Sequence, residues 1–197
     1  MRGRVVTVAL RGGVVVGDPF AQALAFLEAY GAPRDDALSS SFDEADLRAA
    51  NRGGARISAA ELAAILERRP EIEGALHAID PPASLARRSV PWAELTRLFD
   101  AFGGIRGVGF SKMTKALHPK RPALVPMLDS VVQQYLGAPS AESFGERATE
   151  LARRYKEDLD RNLPALREVE RELASHGYRL TEVRILDLLI WSAFAGS

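Results

Sequence analysis

Helix start and stop signals recur along the chain and constrain its fold more than any other feature. Asp18-Pro19 offers an N-cap followed by proline at the first helical position, and Gly31 ends that segment. Ser41-Phe42-Asp43-Glu44 and Ser58-Ala59-Ala60-Glu61 both have the capping-box form, in which a serine and a glutamate satisfy each other's orphan amides. The first half of the chain therefore predicts a series of short helices.

Proline and glycine divide the second half in the same way. The pattern predicts helices from Pro91 to Phe102, from Phe110 to about His118, from Asp129 to Leu136, from about Ser140 to Asn162, from Pro164 to His176, and from Thr181 onward. Pro164 separates two of them because an interior proline removes a backbone hydrogen bond. The last helix is apolar enough to be buried.

The only sheet signal lies near the start of the chain. Residues 5–10 and 14–16 are rich in β-branched side chains and are separated by Arg11-Gly12-Gly13. A length of 197 residues supports a core without disulfides or metals, and the absence of cysteine excludes disulfides, zinc-thiolate sites and iron–sulfur clusters. We therefore predict one mainly α domain over residues 1–197 with a small N-terminal β-hairpin.

The cellular location follows from what the sequence lacks. The first residues do not contain the long apolar segment of a signal peptide. The most apolar stretch, residues 183–195, is shorter than the roughly 20 residues that cross a bilayer. We therefore expect a cytoplasmic protein with no membrane partner.

The net charge is zero, from 26 basic and 26 acidic residues, but the charge is unevenly distributed. Between positions 97 and 121 six basic residues stand against Asp100 alone, so this segment carries +5 and the remainder −5. The six are Arg97, Arg106, Lys112, Lys115, Lys120 and Arg121. The sequence predicts one basic surface on an acidic body, although exposed helices also carry charge for solubility.

Gly107-Val108-Gly109 joins two predicted helices within this basic segment, at about residues 92–118. Glycine permits a tight turn, and without a side chain a phosphate can approach the free amides at the next helix start. Lys112 and Lys115 lie on neighbouring turns of one face and could flank the same DNA strand. A helix-packing role for the two glycines explains the same residues.

Gly104-Ile-Arg-Gly-Val-Gly-Phe-Ser-Lys112, followed by Val125-Pro-Met-Leu-Asp-Ser-Val-Val132, resembles the helix-hairpin-helix and aspartate-bearing segment of the DNA base-excision glycosylases. The resemblance implies a glycosylase-like orthogonal bundle, double-stranded DNA as partner, and a monovalent cation at the hairpin as the one cofactor it allows, with no other metal. Gly107 and Gly109 then match the hairpin glycines, and Asp129 matches the catalytic aspartate. The DNA-binding residues are expected to be Arg106, Gly107, Gly109, Ser111, Lys112 and Lys115.

Members that also cut the strand carry a lysine where this chain has Ser111. The resemblance therefore implies base removal by hydrolysis of the N-glycosidic bond, without lyase activity. A fixed carboxylate at Asp129 would stabilise the positive charge that develops on the sugar, or activate water. An aspartate at a helix start is equally a preferred N-cap. The alternatives are a non-catalytic DNA-binding module and a protein-interaction domain.

Three further features are candidates for the site. His118 ends the second hairpin helix, where a cation suits the helix dipole. Asp187 interrupts the apolar last helix and is expected on an edge that faces solvent. The candidates for a wall that stacks on a flipped base are Trp92, Phe102, Phe110, Tyr135 and Trp191.

Overall fold

The computed structural model of the protein describes residues 6–31 and 38–195, which form nine α-helices and a two-stranded antiparallel sheet. The strands are β1 (Val8–Ala9) and β2 (Val15–Val16). The helices are α1 (Pro19–Tyr30), α2 (Glu44–Arg52), α3 (Ala59–Glu67), α4 (Arg69–His77), α5 (Trp92–Asp100), α6 (Phe110–Leu117), α7 (Ser130–Leu136), α8 (Phe144–Ser175) and α9 (Glu182–Phe194). The predicted mainly α fold with a small β-hairpin is confirmed.

The capping signals place most helix starts correctly. The Asp18 carboxylate accepts the Ala21 amide at 3.0 Å, and Ser58 and Glu61 form the predicted capping box of α3. The predicted cap of α2 is wrong, because Asp43 is its N-cap and Ser41 lies two residues upstream. Aspartate caps as well as serine, so two adjacent candidates compete for one helix start.

The predicted break at Pro164 is also wrong, because α8 is a single helix of 32 residues. An interior proline costs about 3 kcal/mol or more in an isolated helix. The Pro164 ring faces solvent, while Leu159, Leu166 and Val169 on both sides of it are buried in the hydrophobic core. Burial of these side chains outweighs the lost hydrogen bond.

The β-hairpin is fastened to α8 by polar contacts. The Asn162 side chain accepts from the Ala9 amide at 2.8 Å and donates to the Ala9 carbonyl at 2.9 Å. Arg11 forms an ion pair with buried Asp158 at 2.6 Å, and the Tyr135 hydroxyl donates to the same carboxylate at 2.9 Å. The strands are shorter than predicted, and the proposed strand residue Val5 lies outside the described residues.

A buried arginine fixes the proline-containing connection between α6 and α7. Arg121 is 1% exposed and donates to the carbonyl oxygens of Leu76 and Ile79 at 2.7 and 3.2 Å. Among the described residues its guanidinium forms no ion pair with a carboxylate. The connection is therefore held to the end of α4 through backbone oxygens, and it leads to Asp129 at the start of α7.

Helix α9 is buried along most of its length, as its apolar sequence predicted. Tyr155 of α8 donates its hydroxyl to the Val183 carbonyl of α9 at 2.6 Å. None of the helices in the described ranges has both the length and the apolar character needed to span a membrane.

Candidate nucleic-acid interface

The turn between α5 and α6 has the tight geometry that the glycine pattern predicted. Gly107 has φ +83°, a region that other residues adopt only with strain, and Val108 beside it is buried. The Val108 amide donates to the Ile105 carbonyl at 3.1 Å. At the other side of the turn, the Asp100 carboxylate accepts the Gly145 amide at 2.6 Å and so joins the turn to α8.

Helix α6 begins at Gly109 without a side-chain cap. Gly109 is exposed and extended, with φ −99° and ψ −176°, and a β-carbon built there would meet nothing within 4 Å. The first amides of an uncapped helix have no partner inside the helix, and they carry the positive end of its dipole. This helix start is therefore open to an anion.

A carboxylate already lies against the other hairpin glycine. A β-carbon at position 107 would overlap Oε1 of Glu61 and lie 3.2 Å from its Cδ. Lys112 Nζ donates to both Glu61 oxygens at 2.7 Å, and the Ser58 amide donates to Oε2 at 2.8 Å. The hydrogen bond from Lys112 and the backbone hydrogen bond from Ser58 lower the pKa of Glu61, so this carboxylate is ionised at neutral pH.

The predicted basic surface is largely neutralised by acidic residues, most of them from helices outside the basic segment. Lys120 pairs with Asp46 at 2.6 Å and Arg97 with Glu94 at 3.0 Å. Lys112 is paired with Glu61 and Arg121 is buried, as described above. Arg106 is exposed without an ion pair among the described residues, Lys115 donates to the Gly54 carbonyl at 3.2 Å, and Ser111 is half-buried.

Asp129 is held close to α6. It is the N-cap of α7, where its Oδ1 accepts the Val132 amide at 3.0 Å, and it is half-buried. The Leu128 amide, one residue earlier, donates at 3.0 Å to the hydroxyl of Thr114, which belongs to α6. The Oδ2 atom of Asp129 accepts no hydrogen bond from the described residues, 6–31 and 38–195. Asp129 thus caps α7 through Oδ1, while Oδ2 has no hydrogen-bond partner among the described residues.

Asp187 of α9 is 2% exposed, so its predicted position on a solvent-facing edge is wrong. Oδ2 of Asp187 accepts the amide of Met127 at 3.2 Å, and buried Oδ1 has no partner in the described part of the chain. Burial raises the pKa of Asp187 to about 7, the charge of Arg184 opposes that rise, and the charge of Asp129 adds to it. A second carboxyl group therefore supports the segment that carries Asp129.

His118 is buried rather than a charged helix cap. It is 3% exposed, and its Nδ1 lies 2.6 Å from the Val125 carbonyl oxygen. Burial lowers the pKa of His118 to about 4, and the positive charge of Arg184 acts in the same direction. The histidine is neutral at physiological pH, and Nδ1 must carry the proton to donate to Val125.

The aromatic candidates do not form one wall. Phe102 is buried, and Arg153 stacks on Trp92 with its guanidinium carbon 4.3 Å from the ring centroid. Phe110 packs on Phe144 with centroids 4.8 Å apart, Tyr135 on Phe194 at 5.2 Å, and Trp191 on Phe26 at 5.3 Å. Of the five, Phe110 is the first residue of α6 and lies beside the open helix start.

The sequence interpretation missed three of these features. It recognised Glu61 only as part of a capping box, it placed Asp187 in solvent, and it treated His118 as a charged cap. The one signal present for Glu61 was its place in the capping box of α3, as an acidic residue outside the basic segment 97–121. No local pattern brings it to Gly107, 46 positions away.

The model of a family of unknown function, DUF6308, matches residues 19–194 of the chain. No curated protein and no solved structure matches the chain.

Proposed function

The chain belongs to the DUF6308 family, whose function is unknown, and we propose that it binds double-stranded DNA through its hairpin and removes a base at Asp129. The observation that carries the proposal is the exposed, uncapped start of α6 at Gly109, directly after the Gly107 turn. The finer assignment of the helices to a glycosylase-like orthogonal bundle is part of the same proposal.

Phosphate binding at this helix start would use the backbone more than side chains. The amides of the first turn point along the helix axis, and the dipole adds partial positive charge at that end. Exposed Arg106 precedes the turn and half-buried Lys115 lies one turn into α6, so both could add electrostatic attraction. This contact would be independent of base sequence.

Base removal would need a carboxylate near the sugar of an extruded nucleotide. Asp129 offers Oδ2 while Oδ1 caps α7, and the hydrogen bond from Leu128 to Thr114 fixes its segment to the hairpin helix. The Asp129 side chain would stabilise positive charge on the sugar, or take a proton from attacking water. Extrusion costs a few kcal/mol and costs least for damaged bases.

Two substitutions at Gly109 test DNA binding. Serine and aspartate both fit the extended, open backbone position and both cap helices, so each should stabilise the protein by roughly a few tenths of a kcal/mol. Only Gly109→Asp places a negative charge where the phosphate would lie. We expect Gly109→Asp to weaken binding of a fluorescent duplex at least about tenfold, and Gly109→Ser to weaken it less.

Fluorescence anisotropy at low and physiological salt measures this effect, and urea unfolding measures stability. If both variants bind DNA like the wild-type protein, the start of α6 at Gly109 does not contact a DNA phosphate. Preference of the wild-type protein for a duplex that carries an abasic-site analogue would support the glycosylase geometry.

Asp129→Asn tests catalysis separately. Asparagine keeps the N-cap of α7, so folding and duplex binding should be unchanged. The rate of base release from a damaged duplex should fall by at least about 100-fold, because the side chain can no longer stabilise positive charge. Chromatographic detection of the free base measures the rate. Equal rates in both proteins would leave Asp129 as a cap only.

A further inference from the structure

We propose that the Glu61 carboxylate is a resident anion of the hairpin, which occupies the approach to Gly107 and competes with a DNA phosphate. The inference rests on the proposed function, since it describes how binding at the same hairpin is controlled. Gly107 has no side chain, and the space that a β-carbon would fill is taken by the Glu61 carboxylate. The space beside Gly107 through which a phosphate could approach is therefore already occupied by a carboxylate.

Three contacts hold this carboxylate in place. Both of its oxygens accept from Lys112 at 2.7 Å, and Oε2 also accepts the Ser58 amide at 2.8 Å. The side chains of Lys112 and Glu61 are 22% and 14% exposed, so water screens the pair only in part. An ammonium group, a backbone amide and a glycine turn are also the groups that bind phosphate in proteins.

The pair changes the charge that DNA meets. Lys112, predicted from the sequence to flank the DNA strand, is neutralised by a carboxylate that would repel an approaching phosphate. Binding at Gly107 thus requires an exchange, in which Lys112 releases Glu61 and pairs with the phosphate. Phosphate contacts at the open start of α6 and at Arg106 do not need this exchange.

Glu61→Gln tests the inference without removing the helix cap, because glutamine serves in a capping box as glutamate does. Inorganic phosphate is titrated into isotope-labelled protein, and the amide signals of Gly107 and of the first turn of α6 are followed by NMR. We expect Glu61→Gln to bind phosphate about tenfold more tightly than the wild-type protein. The double variant with Lys112→Gln should lose this gain.

The matched control is Glu172→Gln, which also removes one negative charge. Glu172 is exposed and lies 28 residues after Phe144, the first residue of α8, which contacts the hairpin at Gly103. That separation is roughly 42 Å along the helix axis, several times the Debye length of about 10 Å. The control should bind phosphate like the wild-type protein. Equal phosphate affinity in Glu61→Gln and the wild-type protein would overturn the inference.

A duplex titration then separates the inference from the proposed function. Glu61→Gln should bind DNA about tenfold more tightly at low salt, and the slope of log affinity against log salt should steepen by about one, since Lys112 gains a phosphate. If Glu61→Gln binds DNA with the same affinity as the wild-type protein, the inference about Glu61 is overturned and the proposed function stands. A gain for phosphate with no duplex binding in either protein would support the anion site and reject DNA as the partner.

Discussion

The Asp187→Asn variant is expected to gain about 4 kcal/mol of stability relative to the wild-type protein as the pH rises from 4 to above 7. Burial raises the pKa of Asp187 from 3.8 to about 7. Within that window the native protein keeps a proton that the unfolded chain has released. The free energy of unfolding of the wild-type protein therefore falls as the pH rises, and asparagine, which does not titrate, escapes this loss.

The groups around Asp187 set the size of the effect. Arg184 and the Met127 amide favour the ionised carboxylate, whereas Asp129 disfavours it. Urea unfolding of both proteins at several pH values gives the difference in free energy of unfolding. The buried asparagine amide also shifts the free energy of unfolding by an amount that does not depend on pH. This shift does not affect how the difference between the two proteins changes with pH. A difference that stays constant from pH 4 to 8 would contradict the raised pKa.

The fold was predicted well where local chemistry decides it. The caps at Asp18 and Ser58 act within one helical turn, so the sequence contains all the groups involved. The error at Pro164 has the opposite origin. The continuity of α8 depends on burial of Leu159 and Leu166 against other helices, which no local signal expresses.

The sequence predicted the backbone geometry of the candidate site, but not the ion pairs that its basic side chains form. The Gly107 turn and the capping position of Asp129 follow from residues adjacent in the chain. Neutralisation of Lys112 by Glu61 and of Lys120 by Asp46 joins residues 51 and 74 positions apart. A count of charges along a segment cannot include partners that tertiary folding brings to it.

Asp187 illustrates how a periodicity rule fails in a buried helix. An isolated acid in an apolar helix was assigned to a solvent-facing edge, but residues 185–190 of α9 are all buried. The carboxyl group is tolerated there because it accepts the Met127 amide and remains protonated up to about pH 7. The polar residue marks a contact with the segment that carries Asp129, rather than an exposed face.

His118 and Asp187 have opposite effects on stability in the same pH range. Burial lowers the pKa of His118 from 6.5 to about 4, so between these values the unfolded chain binds a proton that the native protein does not. This histidine makes stability rise with pH where Asp187 makes it fall. Between pH 4 and 6.5 the two contributions nearly cancel, so neither is visible in the pH dependence of the wild-type protein's stability.

The His118→Asn variant is therefore expected to gain about 3 kcal/mol relative to the wild-type protein as the pH falls from above 6.5 to 4. The asparagine amide can replace the proton donor at Nδ1, which faces the Val125 carbonyl oxygen at 2.6 Å. Nε2 has no partner among the described residues, so its loss removes no hydrogen bond. Arg184, which disfavours the charged imidazole, is unchanged.

Urea unfolding between pH 4 and 8 measures this gain, and the double variant His118→Asn/Asp187→Asn is the control. Each single variant exposes the slope of the remaining group: stability should fall with pH in His118→Asn and rise with pH in Asp187→Asn. The double variant loses both groups, so it should match the weak pH dependence of the wild-type protein between pH 4 and 6.5. Single variants with parallel slopes would show that the two groups do not titrate in opposite directions.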